Sequence, residues 1–181
     1  MASRESGLTL EVRRLEPDDD RAGFRSGNVD LDRFFLRYAG QNQFRHHIGT
    51  TYIAVDGRGF IAGFATVAAS EVVPEVLPQP KRKRLPAYPI PVLRLARLAV
   101  DVRAKGHGVG SLLLRSVLVL ARRMAGEFGC VGVLVDAKPE AAAFYEKLGF
   151  VRLEVQAGQL GDRPEPQPMF LEVGSIPAAS E

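Results

Sequence analysis

From Val100 to Leu112 the chain reads Val-Asp-Val-Arg-Ala-Lys-Gly-His-Gly-Val-Gly-Ser-Leu. The glycines at alternate positions, Gly106, Gly108 and Gly110, can take positive φ and let an anion come close to the main chain. A helix starting here would add the unpaired N–H groups of its first turn and the positive end of its dipole. Lys105, Gly106, His107, Gly108, Val109, Gly110 and Ser111 are therefore candidate oxyanion contacts. Arg103 and Lys105 would supply charge-assisted donors at the rim. The chemistry this suits is diphosphate binding. A dinucleotide fingerprint needs glycine where Ser111 stands, and a P-loop needs a terminal Lys-Ser or Lys-Thr, which is absent. Farther on, Ala142–Phe150 carries Tyr145, a phenol able to give a hydrogen bond or a proton.

Charge sharpens this reading. The net charge is only +3. Between Lys81 and Arg123, however, eleven basic residues meet a single acid, Asp101. Such a cluster favours an anionic ligand. The run Lys81-Arg82-Lys83-Arg84 suits sequence-independent phosphate contacts, which weaken with salt. Arg94 and Arg97 fall within a strand pattern, where charge is unusual, and their odd separation sends them to opposite faces. Each could pair with a carboxylate such as Asp136, or Arg97 could hold a phosphate. His46, His47 and His107 read as solvated or phosphate-adjacent. Zinc-type spacings are missing and no metal is required. One cysteine, Cys130, excludes an intrachain disulfide. The first residues are polar and no apolar run reaches membrane length, so a cytoplasmic location is expected.

These groups need elements to position them. Residues 8–15 alternate as a first strand. Pro17–Asp20 opens a short helix, and Asn28 or Ser26 caps the next, whose stripe is Leu31, Phe34, Phe35 and Tyr38. Thr50–Val55 and Phe60–Ala68 form a hairpin across Asp56-Gly57-Arg58-Gly59. Residues 71–91, with six prolines, read as a long irregular loop. Val92–Val100 is a strand entering the glycine loop. Ser111–Glu127 is an amphipathic helix, Cys130–Ala137 a buried strand, and Pro139 starts a helix ending at Gly149. Phe150–Val155 and Met169–Val173 complete the sheet, around a Gly- and Pro-rich segment, Ala157–Pro168. The fold class is α/β (α+β). One domain over residues 8–173 carries a mixed, mostly antiparallel sheet of six to seven strands with about four helices. Residues 1–7 and 174–181 are tails.

Arg103-Ala-Lys-Gly106-His-Gly108 resembles the R/Q-x-x-G-x-G/A signature of GNAT N-acetyltransferases. Ala142–Phe150 resembles the segment with Phe-Tyr and Gly-Phe that closes their core. The stretch Phe24–Phe35, then Ala39-Gly-Gln-Asn-Gln, and the stretch Tyr88–Val100 are similar to TacT-type GNAT toxins. This narrower likeness runs from about Leu15 to Val173. The resemblance implies acetyl-CoA as co-substrate, with its pyrophosphate on the glycine loop. It implies a pantetheine arm paired with strand Val92–Val100, a backbone N–H near Leu98, Ala99 or Val100 on the acetyl carbonyl, and Tyr145 near the sulfur.

For the toxins it further implies acetylation of the α-amine of aminoacyl-tRNA, a ribbon-helix-helix antitoxin and a homodimer. Lys81–Arg84 and Arg97 are then the RNA-contacting candidates. No Asp or Glu stands out as a general base. An aminoacyl ester needs little base, because its amine falls below the ordinary α-amino pKa of about 8. Ser26 stands where many relatives carry Cys, and Asp136 where several carry His or Asn, which leaves the acceptor open. The alternatives are acetylation of a small-molecule or protein amine, and a non-catalytic acyl-CoA- or RNA-binding module.

Overall fold

A computed structural model describes residues 8–154 and 166–177. The segment Ala157–Pro168, as far as Arg163-Pro164-Glu165, the end of the expected strand at Val155, and the outer parts of both tails lie outside the described residues. Seven strands form one mixed sheet in the order β1-β2-β3-β4-β5-β7-β6. They are β1 (Glu11–Arg14), β2 (Thr50–Val55), β3 (Ile61–Val72), β4 (Ile90–Val100), β5 (Gly132–Ala137), β6 (Val151–Arg152) and β7 (Gln167–Glu172). The helices are α1 (Val29–Arg33), α2 (Ala39–Gln41), α3 (Gln79–Arg82), α4 (Val109–Glu127) and α5 (Ala142–Lys147). β1–β2, β2–β3, β5–β7 and β6–β7 pair antiparallel and β4–β5 parallel, as expected for a mixed, mostly antiparallel sheet.

The chain divides into two compact units, and β3, β4 and α4 contribute to both. The first holds residues 1–67 and 97–116. Its core gathers Leu15, Phe24, Phe34, Phe35, Ile53, Phe64 and Ala99. Phe35 stacks on Phe64 at 4.4 Å, with Phe24 edge-on to both. Asn28 is the cap of α1, its side chain accepting from the N–H groups of Asp30 and Leu31. Helical geometry then continues through two π-helical turns, Phe34–Tyr38 and Asn42–His46, flanking α2. The run stops at His47, which adopts φ 52°. Of the expected apolar stripe, Phe34 and Phe35 are buried and Tyr38 is exposed.

The hairpin turn forms as anticipated, with the Asp56 carboxylate accepting from the N–H groups of Arg58 and Phe60. The expected helix at Pro17–Asp20 is instead a turn. There Asp19 binds the Arg13 guanidinium through both oxygens, at 2.7 and 2.9 Å, and accepts the N–H of Glu16. The carboxylate takes up the groups that a helical turn would have used.

The second unit holds residues 68–96 and 117–181. Val72, Leu77, Ile90, Val92, Leu134, Leu153 and Phe170 form a core there. The segment expected to be an irregular loop is shorter than residues 71–91. β3 runs to Val72, β4 starts at Ile90, and a 3₁₀ turn (Pro74–Val76) and α3 lie between. Prolines at the first positions of both turns explain this, since a helix start needs no N–H from them. The tail expected from Gly174 is structured at its beginning. Val173–Ser175 is a 3₁₀ turn, and Ile176, 5% exposed, accepts a hydrogen bond from Arg122.

Candidate functional site

The glycine loop lies in the first unit, between β4 and α4. Asp101, 0% exposed, stands just past the end of β4 and organises the loop. One carboxylate oxygen accepts the N–H of Arg103 and the other the N–H of Arg25, at 2.9 and 3.1 Å. The Arg103 guanidinium grips the same carboxylate at 2.9 and 3.0 Å and also donates to the Gly23 carbonyl. Burial alone would raise the Asp101 pKa. The Arg103 side chain and these backbone donors outweigh it and hold the carboxyl below its ordinary value. Sequence reasoning placed Arg103 on the phosphate. In the structure its Nε and one terminal nitrogen are committed to Asp101, with the guanidinium 4.7 Å from the Phe60 ring centroid.

Gly106 and Gly108 take φ of +82° and +74°, and a Cβ built on either meets no atom within 4 Å. These glycines therefore leave open space in a left-handed conformation that side chains avoid. The first backbone bond of α4 is Leu112 N–H to the Gly108 carbonyl. The amides of Val109, Gly110 and Ser111 precede any acceptor within their own helix. This is the cradle a diphosphate requires, and the residues present fit one. His107 turns Nδ1 back on the carbonyls of Ala104 and Lys105. Among the described residues no His/Cys/Asp/Glu group could hold a metal ion.

Leu98, Ala99 and Val100 close β4. The β4–β5 ladder covers Leu93–Leu95, so this stretch lies beyond it. A Cβ on Gly63 would sit 2.8 Å from the Ala99 carbonyl oxygen and 2.9 Å from Val109. Glycine at that position is what lets β3 lie so close to the strand that feeds the loop. Sequence reasoning passed over Gly63, because nothing marks it before the packing is known.

Arg97 is half-buried, its guanidinium carbon 3.7 Å from the Phe34 ring centroid. Among the described residues it has neither a hydrogen bond nor a carboxylate partner, and desolvation lowers its pKa. Arg94, in contrast, bonds Asp136 at 2.7 Å. The carboxylate pairing considered for both arginines therefore holds for Arg94 alone. Lys81, expected to contact RNA, has its ammonium beside the Glu172 carboxylate, and desolvation, with the Arg84 charge, lowers its pKa. Its ammonium is turned into the protein. Lys83 and Arg84 remain exposed, and Arg82 donates to the Leu77 carbonyl.

Tyr145 lies in α5, in the second unit, 5% exposed. Phe144 and Phe150 pack edge-on against its ring, with centroids 5.1 and 5.4 Å away. Burial pushes its pKa up to about 12. Among the described residues the hydroxyl has no hydrogen-bond partner, so packing holds the ring and leaves the proton uncommitted.

An open, left-handed glycine turn at the start of α4, within a mixed sheet of this order, fits an acyl-CoA-type transferase. Residues 47–152 match the Acetyltransferase (GNAT) domain model. The chain is 34% identical, over 76% of its own length and 82% of the relative's, to a tRNA-acetylating toxin of Mycobacterium tuberculosis. Among solved structures it resembles AtaT complexed with acetyl-methionyl-tRNAfMet, at TM-score 0.80 and 26% identity, over 92% of this chain and 96% of that one. It also resembles AtaTR bound with AcCoA, at TM-score 0.76 and 26% identity, over 92% and 95%. The chain belongs to the GNAT acetyltransferase family and is an N-acetyltransferase. Among the described residues no helix is long and apolar enough to cross a membrane.

Proposed function

We propose that the chain transfers acetyl from acetyl-CoA to the α-amine of aminoacyl-tRNA and thereby acts as a translation-blocking toxin. The observation that carries the cofactor half is the open, left-handed Gly106–Gly108 turn ahead of the unpaired amides of α4. Lys105 and the amides from Gly106 to Ser111 hold the pyrophosphate. Arg103 sets the loop through Asp101, and its remaining terminal nitrogen is left to donate to the same anion. The co-substrate supplies an acetyl thioester. A main-chain N–H near Leu98, Ala99 or Val100 orients and polarises its carbonyl. By family resemblance, the amine nitrogen bonds to the carbonyl carbon as the carbon–sulfur bond breaks, and Tyr145 donates a hydrogen bond to the departing sulfur. Proximity does most of the remaining work.

The acceptor half rests on the relative's printed activity and on Arg97. A half-buried cation with only an aromatic face beneath it is suited to receive one phosphate of an acceptor end. Lys83 and Arg84 add exposed, non-specific charge. No carboxylate stands out as a base, which suits a weakly basic ester amine. By family resemblance the chain works as a homodimer and is restrained by a ribbon-helix-helix antitoxin.

The test incubates purified protein with labelled acetyl-CoA and total charged tRNA. Label in N-acetyl-aminoacyl-tRNA is the expected result. Label confined to polyamines or proteins would sink this acceptor.

A further inference from the structure

Arg103 and Lys105, the two cations of the glycine loop, are exposed. Both nevertheless meet a segment remote in sequence, Gly23–Gly27, which lies between β1 and α1. Arg25 is bridged twice to the start of the loop. Its N–H donates to the Asp101 carboxylate at 3.1 Å, and its carbonyl accepts the Val102 N–H at 2.8 Å. The Gly23 carbonyl accepts from the Arg103 guanidinium at 3.1 Å. Gly27 takes φ +89°, and a Cβ built on it would stand 3.8 Å from the Lys105 Nζ and 3.7 Å from a Val102 methyl carbon. Both side chains therefore lie against its bare Cα. The segment is in turn pinned to α1. Ser26 donates its N–H and its hydroxyl to the Asp32 carboxylate, at 2.9 and 2.6 Å, and Asn28 caps the helix. All of these residues belong to the first unit.

Exposed arginine and lysine side chains ordinarily lose rotamer freedom when they bind an anion, and that ordering weakens the binding. Here part of the ordering is already done at folding. Nε and one terminal nitrogen of Arg103 are held across both oxygens of a carboxylate that is itself 0% exposed. A guanidinium is planar, so fixing two of its nitrogens fixes the direction of the third. We infer that Gly23–Gly27 is a brace for the cofactor loop, in which Asp101 is the positioning residue that aims Arg103 and Gly27 is the one that seats Lys105. Each acts through a cation rather than on the ligand itself. This rests on the reading of the loop as the pyrophosphate site and adds what sets its cations in place.

The experiment measures binding of the full chain to acetyl-CoA and to acetyl-pantetheine, which carries the same thioester arm but neither diphosphate nor adenosine. The ratio of the two affinities reports the diphosphate-bearing half of the cofactor. Asp101→Asn should lower acetyl-CoA affinity about tenfold. Gly27→Ala, strained at this φ, should lower it about fivefold. Neither should change the binding of acetyl-pantetheine. Arg103→Lys keeps the charge without the fork and should lose as much as Asp101→Asn. Because both remove the same aimed contact, the double variant should lose no more than either single one. Additive losses would overturn the link from Asp101 to Arg103. Equal losses for both ligands would mean general damage to the fold and overturn the brace. Equal binding of both ligands by the unaltered chain would defeat the pyrophosphate reading itself. A large ratio in the unaltered chain, kept in full by the Asp101 and Gly27 variants, defeats the brace alone.

Discussion

Replacing Tyr145 by Phe removes one oxygen and keeps the ring between Phe144 and Phe150. Among the described residues that oxygen has no hydrogen bond to lose, so stability should change by less than about 0.5 kcal/mol. Its effect on the rate comes from proton affinity. Burial pushes the phenol up to about 12, whereas an ordinary thiol lies near 8.5. Complete proton transfer to the sulfur would run about 3.5 units, or about 5 kcal/mol, uphill. The hydroxyl therefore acts mainly as a hydrogen-bond donor to developing negative charge, worth about 1.5–3 kcal/mol. Tyr145→Phe should then slow turnover by about ten- to 150-fold, with acetyl-CoA affinity unchanged. Thiol release under saturating acceptor reads the rate, and calorimetric titration with acetyl-CoA reads the affinity. Because the phenol stays protonated until the pH nears 12, the unaltered chain should show no falling alkaline limb from this group. An unchanged rate, or a loss of affinity as large as the loss of rate, would refute the assignment.

Two glycines should behave oppositely. Gly108→Ala meets no neighbouring atom but must hold φ +74°, so it should cost only about 1–2 kcal/mol of stability while weakening acetyl-CoA binding. Gly63→Ala would crowd Ala99, Val109 and Leu113, and should lower stability by about 1–3 kcal/mol whether or not cofactor is present. Denaturant melts with and without acetyl-CoA separate the two. The Asp101 carboxyl is held below its ordinary value, so its contribution is full above the unfolded pKa of about 4 and is lost as pH falls through the folded value. Asp101→Asn should flatten that acid limb and cost about 1–3 kcal/mol at neutral pH, read from thermal melts across pH. Arg97→Gln should raise KM for charged tRNA and leave acetyl-CoA affinity alone; equal kinetics with both substrates would remove Arg97 from the acceptor site.

The glycine loop, the helix after it and the Phe-Tyr segment were legible because local rules govern them. Alternate glycines, a strand pattern running in and an apolar period running out each carry meaning over a few residues. The short-range errors have short-range causes. Asp19 bound Arg13 and the Glu16 N–H instead of starting a helix, and prolines placed at first turns made regular structure where a loop was expected.

The partners of the charged side chains were decided by the tertiary structure alone. The sequence alone determined which groups exist and which of them sit at a helix start, so the glycine turn before α4 and the family could be read from it. It could not say that Lys81 meets Glu172, that Arg97 is left with only Phe34 beneath it, or that Arg103 turns back onto an Asp101 buried against the Arg25 backbone. Lys81 with Glu172, Arg97 with Phe34 and Asp101 with the Arg25 backbone each bring together residues far apart in the chain. Whether a cation is neutralised or kept for a ligand depends on which carboxylate folding brings within a few ångströms, where Coulomb energy and desolvation are both large.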